Sequence, residues 1–264
     1  MKLKDLKKIE GTSHYNKWYE KYTIIQVLAR NNILIQFEDS NFLIKVKDKN
    51  LIKGDMSNPN RITTCGVGFT GYGEHKINEN GVKTKAYIKW QAMLDRVYGV
   101  TNREKKCYVG CSVDEHWFNF QNFAKWFYKE IPKIQGYTGK VCLDQDLLTV
   151  GNTVYSPENC CLIPYELNIA IKLAKTIYHD KRKNTFNMTM TKTYDSDRGL
   201  TFTAHSKNKE KCIESYSKAK DEYIKQLGIK YKNFLSEKVF LACSNFNTKS
   251  RFLLQYKGTN ETFI

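Results

Sequence analysis

Three short apolar runs open the chain: Tyr22 to Val27, Ile33 to Phe37 and Phe42 to Val46, separated by the polar turns Arg30-Asn-Asn32 and Glu38-Asp-Ser-Asn41. Short β-branched runs between polar turns predict strands, and three in succession predict a small antiparallel barrel or curled sheet, a β-barrel-like unit over residues 1–73. Gly54, Pro59 and Cys65-Gly-Val-Gly-Phe-Thr-Gly-Tyr-Gly73 close that segment. No Gly-Lys-Ser/Thr follows these glycines, so they predict a flexible or tightly turning connector and not a phosphate loop. The period then changes to that of a helix. Tyr87, Trp90, Met93, Leu94 and Val97 share one stripe of a helix over Ala86 to Tyr98. Phe120, Phe123, Ala124 and Phe127 do the same over Phe118 to Glu130, with Trp117 and Trp126 assigned to the flank.

Beyond residue 140 the pattern shortens again. It predicts a strand from Val141 to Leu147, a turn at Gly151-Asn152, a strand around Asn159 to Ile163 and a helix from Tyr165 to about Thr176. Strands Thr185 to Tyr194 and Leu200 to His205 follow, joined by a turn at Asp195 to Gly199. A helix from Lys207 to Leu227 then places Cys212, Tyr216, Ala219 and Tyr223 on one face, with Gly228 as its C-cap and a further helix from Lys230 to Cys243. The fold class expected is α+β, in three segments: a β-rich domain over 1–73, a helical lead-in with a ββα core over 74–180, and a sheet-plus-helix domain with terminal helices over 181–264.

Composition turns this outline toward a partner. With 41% hydrophobic and 13% aromatic residues the chain has enough core-forming side chains to fold. It carries 43 Lys and Arg against 27 Asp and Glu, a formal charge of +16. Residues 171–232 hold 15 basic and 7 acidic residues, half of that excess. Such a balance favours a polyanion, because neutralising phosphates releases condensed counterions. No apolar run approaches the roughly 20 residues of a membrane span, and the charged start Met1-Lys2-Leu3-Lys4 lacks a signal-peptide core, so a soluble cytoplasmic protein is expected. The eight cysteines then fit reduced thiols. Cys107 and Cys111 in a C-x3-C pair and the adjacent Cys160 and Cys161 invite a zinc reading, but without paired C-x2-C knuckles buried small hydrophobes are the expected role.

The segment that carries chemistry is Leu143-Asp144-Gln145-Asp146-Leu147-Leu148, followed by Tyr155-Ser-Pro-Glu-Asn159 and Asn168. The β-β-α order and the spacing of Gln145, Asn159 and Asn168 resemble the core of HNH endonucleases, where a strand histidine is followed by Asn about 14 and by His or Asn about nine residues further on. By that resemblance Asp144 and Asn168 are the ligands of a divalent ion such as Mg2+, and Asn159 bonds across the turn to hold the loop. Strand alternation turns Asp146 to the same face as Asp144, as an additional ligand or as a solvated or structural carboxylate. Gln145 stands in the position of the catalytic base. An amide neither accepts a proton near neutral pH nor turns bound water into hydroxide, so the general base is missing. His116, His179 and His205 could replace it only by folding in from elsewhere.

The resemblance extends outward. Tyr87-Ile-Lys-Trp90-Gln-Ala-Met-Leu94-Asp-Arg96 and Val113-Asp-Glu-His-Trp117-Phe-Asn-Phe-Gln-Asn-Phe-Ala124 are similar to the lead-in of phage and prophage HNH-like proteins, a group in which the strand motif can also read Leu-Asp-Lys-Asp. Gly199-Leu-Thr-Phe-Thr203 followed by Cys212-Ile-Glu-Ser-Tyr216-Ser-Lys-Ala219 resembles an AP2-type DNA-binding domain, whose sheet enters a groove while its helix braces it. That resemblance makes Lys192, Arg198 and Lys207 candidates for phosphate or base contacts, and Lys172 and Lys175 place charge beside the HNH-like site. Only Arg198 has the planar fork suited to guanine.

The function expected is that of a phage-type protein binding double-stranded DNA in the host cytoplasm, its HNH fold a docking scaffold with weak or absent cleavage. An active metal-dependent homing-type endonuclease is one alternative. The other is an anti-defence protein that binds and inhibits a host nucleic-acid enzyme.

Overall fold

Tyr22, Ile24 and Val27 all point into one core, although strict alternation would turn Val27 outward. The reason is a bulge in β2 (Lys21–Ala29), preceded in the chain by helix α1 (Leu3–Lys7) and strand β1 (Ser13–Tyr15). Its register with β3 (Asn32–Phe37) runs Ile24↔Ile35 and then Gln26↔Leu34, so one extra residue returns Val27 to the inner face. With β4 (Leu43–Val46) these strands form an antiparallel meander in the order β1-β2-β3-β4. Leu6, Ile33, Ile35, Phe37, Val46 and Met56 complete its core. Among the described residues the sheet is open rather than a closed barrel, with β1 and β4 at its edges.

The computed structural model describes residues 2–100, 108–134, 136–173, 177–192 and 199–256. They form an α+β protein in two compact units, Met1–Glu104 with Glu115–Ala124 and Lys105–Asp114 with Lys125–Ile264. In the first unit a short helix α2 (Asp48–Lys53), absent from the periodicity, follows the meander. Arg30 Nε holds Asp48 Oδ2 at 2.6 Å at its start. The small hairpin β5 (Asn78–Glu79) and β6 (Val82–Lys83) leads into α3 (Lys85–Tyr98), where Thr84 caps the helix by accepting the Tyr87 N–H. Trp90, Met93 and Leu94 of α3 are fully buried. The glycine-rich stretch turns tightly over them: a Cβ on Gly68 would stand 2.4 Å from Leu94 Cδ1, so only glycine allows this approach. Trp117, expected on a flank, is fully buried; its carbonyl accepts the Trp90 indole N–H at 2.7 Å.

The remaining elements are β7 (Ser112–Val113), α4 (Phe120–Glu130), β8 (Val141–Asp144), β9 (Val154–Tyr155), β10 (Cys161–Pro164) and α5 (Tyr165–Ala170). They are followed by β11 (Tyr178–Asp180), β12 (Thr185–Thr191), β13 (Thr201–Ser206), α6 (Lys209–Lys230), α7 (Glu237–Ser244) and α8 (Thr248–Tyr256). Trp126 of α4, also assigned to a flank, is buried. β8 pairs antiparallel with β10, and α5 follows directly, a β-β-α order whose helix ends at Ala170, short of Thr176. The three strands β11-β12-β13 make an antiparallel sheet, and α6 packs on one of its faces. A single hydrophobic core joins Leu147, Ile163 and Leu167 to Met188, Ala204, Tyr216 and Ile224, so residues on both sides of position 180 share it.

Gly228 does not end α6. The helix runs on to Lys230, and Gly228 faces α7 so closely that a Cβ there would lie 2.8 Å from Cys243 Cβ. Beyond it a 3-10 turn over Lys232–Phe234 breaks the expected terminal helix, and α7 and α8 follow. Gly228→Ala should therefore lower stability by about 1–3 kcal/mol through overpacking, although alanine is the better helix former. Chemical unfolding of the two proteins measures this, and equal or higher stability of the variant would refute the close approach.

Candidate functional site

β8 ends at Asp144 because that side chain satisfies its own loop. Asp144 Oδ1 accepts the N–H of Asp146 at 3.2 Å and of Leu147 at 2.9 Å, a local alternative to the strand ladder. The predicted strand to Leu147 is thus cut short: Asp146 is exposed beyond the strand and Asp144 half-buried at its end, with the two carboxylates still close enough to interact. Gln145 follows with Nε2 3.5 Å from Cys111 Sγ, while its Oε1 is buried without a hydrogen-bond partner among the described residues.

Asn152 and Asn159 knit the loop together. Asn152 Nδ2 donates to the Gln145 carbonyl at 2.7 Å and to the Val154 carbonyl at 2.8 Å, and its Oδ1 accepts from Asn159 Nδ2 at 3.1 Å. Asn159 Oδ1 in turn accepts from Thr149 Oγ1 at 3.3 Å. From α8, the Arg251 guanidinium donates to the carbonyls of Asp146 at 2.9 Å and Leu147 at 2.7 Å. Sequence reasoning missed Arg251, since nothing near it in the chain marks it as a partner of residues a hundred positions earlier. Beside this clamp lies a groove of about 380 Å3 lined by Leu147, Leu148, Val150, Lys238, Leu241 and Arg251.

Burial, and then the neighbouring Asp146 carboxylate, push the Asp144 carboxyl up to about 7. Asn168 lies half-buried on α5. Among the described residues no group of three or more His, Cys, Asp and Glu side chains is placed to share a metal ion. Cys160 and Cys161 are buried in the core, and burial raises both thiols, Cys160 to about 12, which opposes the thiolate that zinc would require. Cys107 lies outside the described residues. His179 stacks on Phe186 with ring centroids 4.5 Å apart, His205 sits exposed on β13, and His116 is exposed in a 3-10 turn over Glu115–Phe118.

The C-terminal sheet has two unlike faces. Met188, Met190 and Ala204 are buried under α6, where Cys212 Sγ donates to the Phe186 carbonyl at 3.2 Å. On the opposite face the cross-strand pairs Thr189↔Thr203 and Thr191↔Thr201 are exposed, with His205 beside Asn187 and Tyr178 on the third strand. The hydroxyls of Thr189 and Thr203 stand 3.0 Å apart. At one end the β11–β12 turn is shaped by Asp180, whose Oδ1 accepts the N–H of Arg182 at 3.0 Å and Lys183 at 3.2 Å, and by Asn184 at φ +48°. This leaves Lys181, Arg182 and Lys183 exposed together. Their value was hidden because the three-residue strand β11, which makes them a hairpin tip, has no periodic signal.

The basic candidates divide. Lys207 is exposed in the β13–α6 turn and Lys172 is exposed after α5. Lys192 is half-buried with Nζ 5.8 Å from the Tyr223 ring centroid, on the α6 side of the sheet rather than its open face. Lys175 and Arg198 lie outside the described residues. Lys220, buried on α6, donates to the Lys172 carbonyl at 2.5 Å, and burial lowers its ammonium to about 8. Compared with family models, with curated proteins and with solved structures, the chain matches none.

The state of Asp144 is testable through stability. Its folded pKa lies above the ordinary carboxylate value near 3.9, so the native state holds the proton more tightly than the unfolded chain. That contribution is fully present below about pH 4 and is lost as pH rises toward about 7. Asp144→Asn keeps an acceptor for the two loop amides and removes the titration. Urea unfolding from pH 4 to 8 should show a flatter profile for the variant and higher stability than wild type at the alkaline end; parallel profiles would contradict the assignment.

Proposed function

We propose that this chain is a DNA-binding protein of phage type that docks on duplex DNA through the open face of the β11-β12-β13 sheet and the Lys181-Arg182-Lys183 hairpin tip. The observation that carries this reading is the polarity of that sheet. One face is closed by α6, while the other exposes paired threonines and His205 beside three adjacent cations. A narrow sheet face fits the major groove, where hydroxyls and methyls meet base edges and thymine methyls, and cations at its end meet phosphates. Lys207 joins those cations from the β13–α6 turn.

The second part of the proposal is that the 141–170 segment is an HNH-like ββα scaffold in which cleavage is weak or absent. Gln145 supplies no general base, and a proton-transfer group is worth about 10²–10⁴ in rate. A hard divalent ion would take Asp144, Asp146 and Asn168 as oxygen ligands. Asp144 already accepts two amides of its own loop through Oδ1, so this donor set fits a resident Mg2+ poorly.

Fluorescence anisotropy on a labelled duplex tests the first part. Affinity should fall steeply with salt, and the triple variant Lys181→Ala, Arg182→Ala, Lys183→Ala should bind more weakly with a log–log slope shallower by about 2–3, near 0.9 per lost phosphate contact. Binding that is insensitive to salt, or unchanged in the triple variant, would overturn it. A plasmid-nicking assay with Mg2+ or Mn2+ tests the second: wild type should nick no faster than Asp144→Ala, and divalent-dependent nicking lost in the variant would restore the endonuclease reading.

A further inference from the structure

The turn between β1 and β2, Asn16-Lys17-Trp18-Tyr19-Glu20, is tied down by side-chain hydrogen bonds. Asn16 is buried, and its Oδ1 accepts the N–H of Trp18 and of Glu20, each at 2.9 Å. Its Nδ2 donates to Glu20 Oε2 at 2.7 Å and to the Met56 carbonyl at 2.8 Å. The Glu20 carboxylate is itself buried and lies 3.9 Å from Arg61 Nε, while the Lys17 N–H reaches the Gly54 carbonyl at 3.0 Å.

This frame holds Tyr19 at φ +62°, a left-handed conformation that penalises a bulky residue. Of the five non-glycine residues at positive φ among those described, three are asparagines, which tolerate it. Tyr19 does not offset the strain by packing, because it is 88% exposed, the most exposed large hydrophobic side chain among the described residues. Next to it, Lys17 Nζ and the Arg61 guanidinium lie 4.3 and 4.7 Å from the Trp18 ring centroid, so Trp18 gathers two cations at the base of the turn. Lys17 also pairs with Asp55 at 2.6 Å but remains half-exposed. Tyr15, 63% exposed, stands on the edge strand opposite Lys21.

A solvent-facing aromatic ring, next in the turn to a tryptophan that gathers two cations, offers an unpaired nucleobase a π-face to stack on and positive charge near the neighbouring phosphate. We infer that the Asn16–Glu20 turn is a contact site for single-stranded nucleic acid, in which Tyr19 stacks on an unpaired base while Lys17 and Arg61 meet the flanking phosphates. This site is separate in sequence and unit from the sheet proposed for duplex DNA.

The strain makes the idea separable from a structural role. In the full chain, Tyr19→Gly should melt at the same temperature as wild type or a few degrees higher, since glycine removes the φ penalty. Its affinity for a fluorescein-labelled oligo-dT should fall by about tenfold, the loss of one base–aromatic stack. Tyr19→Phe should retain wild-type affinity, and the duplex affinity of Tyr19→Gly should be unchanged. Wild-type failure to bind oligo-dT, equal binding by Tyr19→Gly, or an equal loss on duplex would each overturn the inference, leaving a protein partner for this turn. A lowered melting temperature for both Tyr19→Gly and Tyr19→Asn would overturn it too, by making Tyr19 a packing residue.

Discussion

One face of α6 carries Cys212, Tyr216, Tyr223, Ile224 and Leu227, all buried, and the second unit is arranged around keeping that face dry. Each large side chain contributes on the order of 1.5–3 kcal/mol on leaving water, so this stripe is among the largest stabilising features of the unit. The β11-β12-β13 sheet covers one part of it with Met188 and Ala204, and the β8–β10–α5 segment reaches the same core through Ile163 and Leu167. Gly228 lets α7 approach without a side chain between. Even the buried Lys220 serves this packing, by donating to the carbonyl that follows α5. Because α6 closes the inner face of the sheet, the polar face is left to solvent, and this is the condition under which its threonines can meet a partner.

The 144–159 loop shows a different economy, built from short polar bonds rather than apolar area. Asp144, Asn152, Asn159 and Arg251 satisfy one another's loop through its carbonyls and amides, which gives the loop a defined shape. The same bonds that define the loop draw Asp144 away from free ligation. Burial, and then the second acid beside it, raise the Asp144 carboxyl to about 7.

Much of the fold was legible in the chain. Strands β2, β3, β4, β12 and β13 and helices α3, α4 and α6 follow from period-2 and period-3.6 patterns, because each has one face that must be buried and the pattern of apolar residues marks it. The elements without such a face went unseen: α2 is six residues long, β11 three, and β7 and β9 two each, held by partners distant in sequence. The site was legible in its chemistry and not in its geometry. That Gln145 cannot act as a base is a property of the amide itself. That Asp146 leaves the strand, that Lys192 lies over Tyr223 and that Arg251 clamps the loop depend on where the chain bends and what packs there.

The sequence by itself determined the α+β class, the basic excess and the amphipathic character of the principal elements, because these depend on residue identity and on neighbours within a turn or two. Tertiary structure alone decided that Trp117 is core rather than flank, that Gly228 lies within a helix, and that the bulge at Ile24 and Gln26 turns Val27 inward. It also decided which cations stand together at the hairpin tip and that Tyr19 is held strained and exposed. The physical reason is the same in each case. Local rules set what a segment prefers, while burial, steric approach and hydrogen-bond partners from remote segments set which preference is realised.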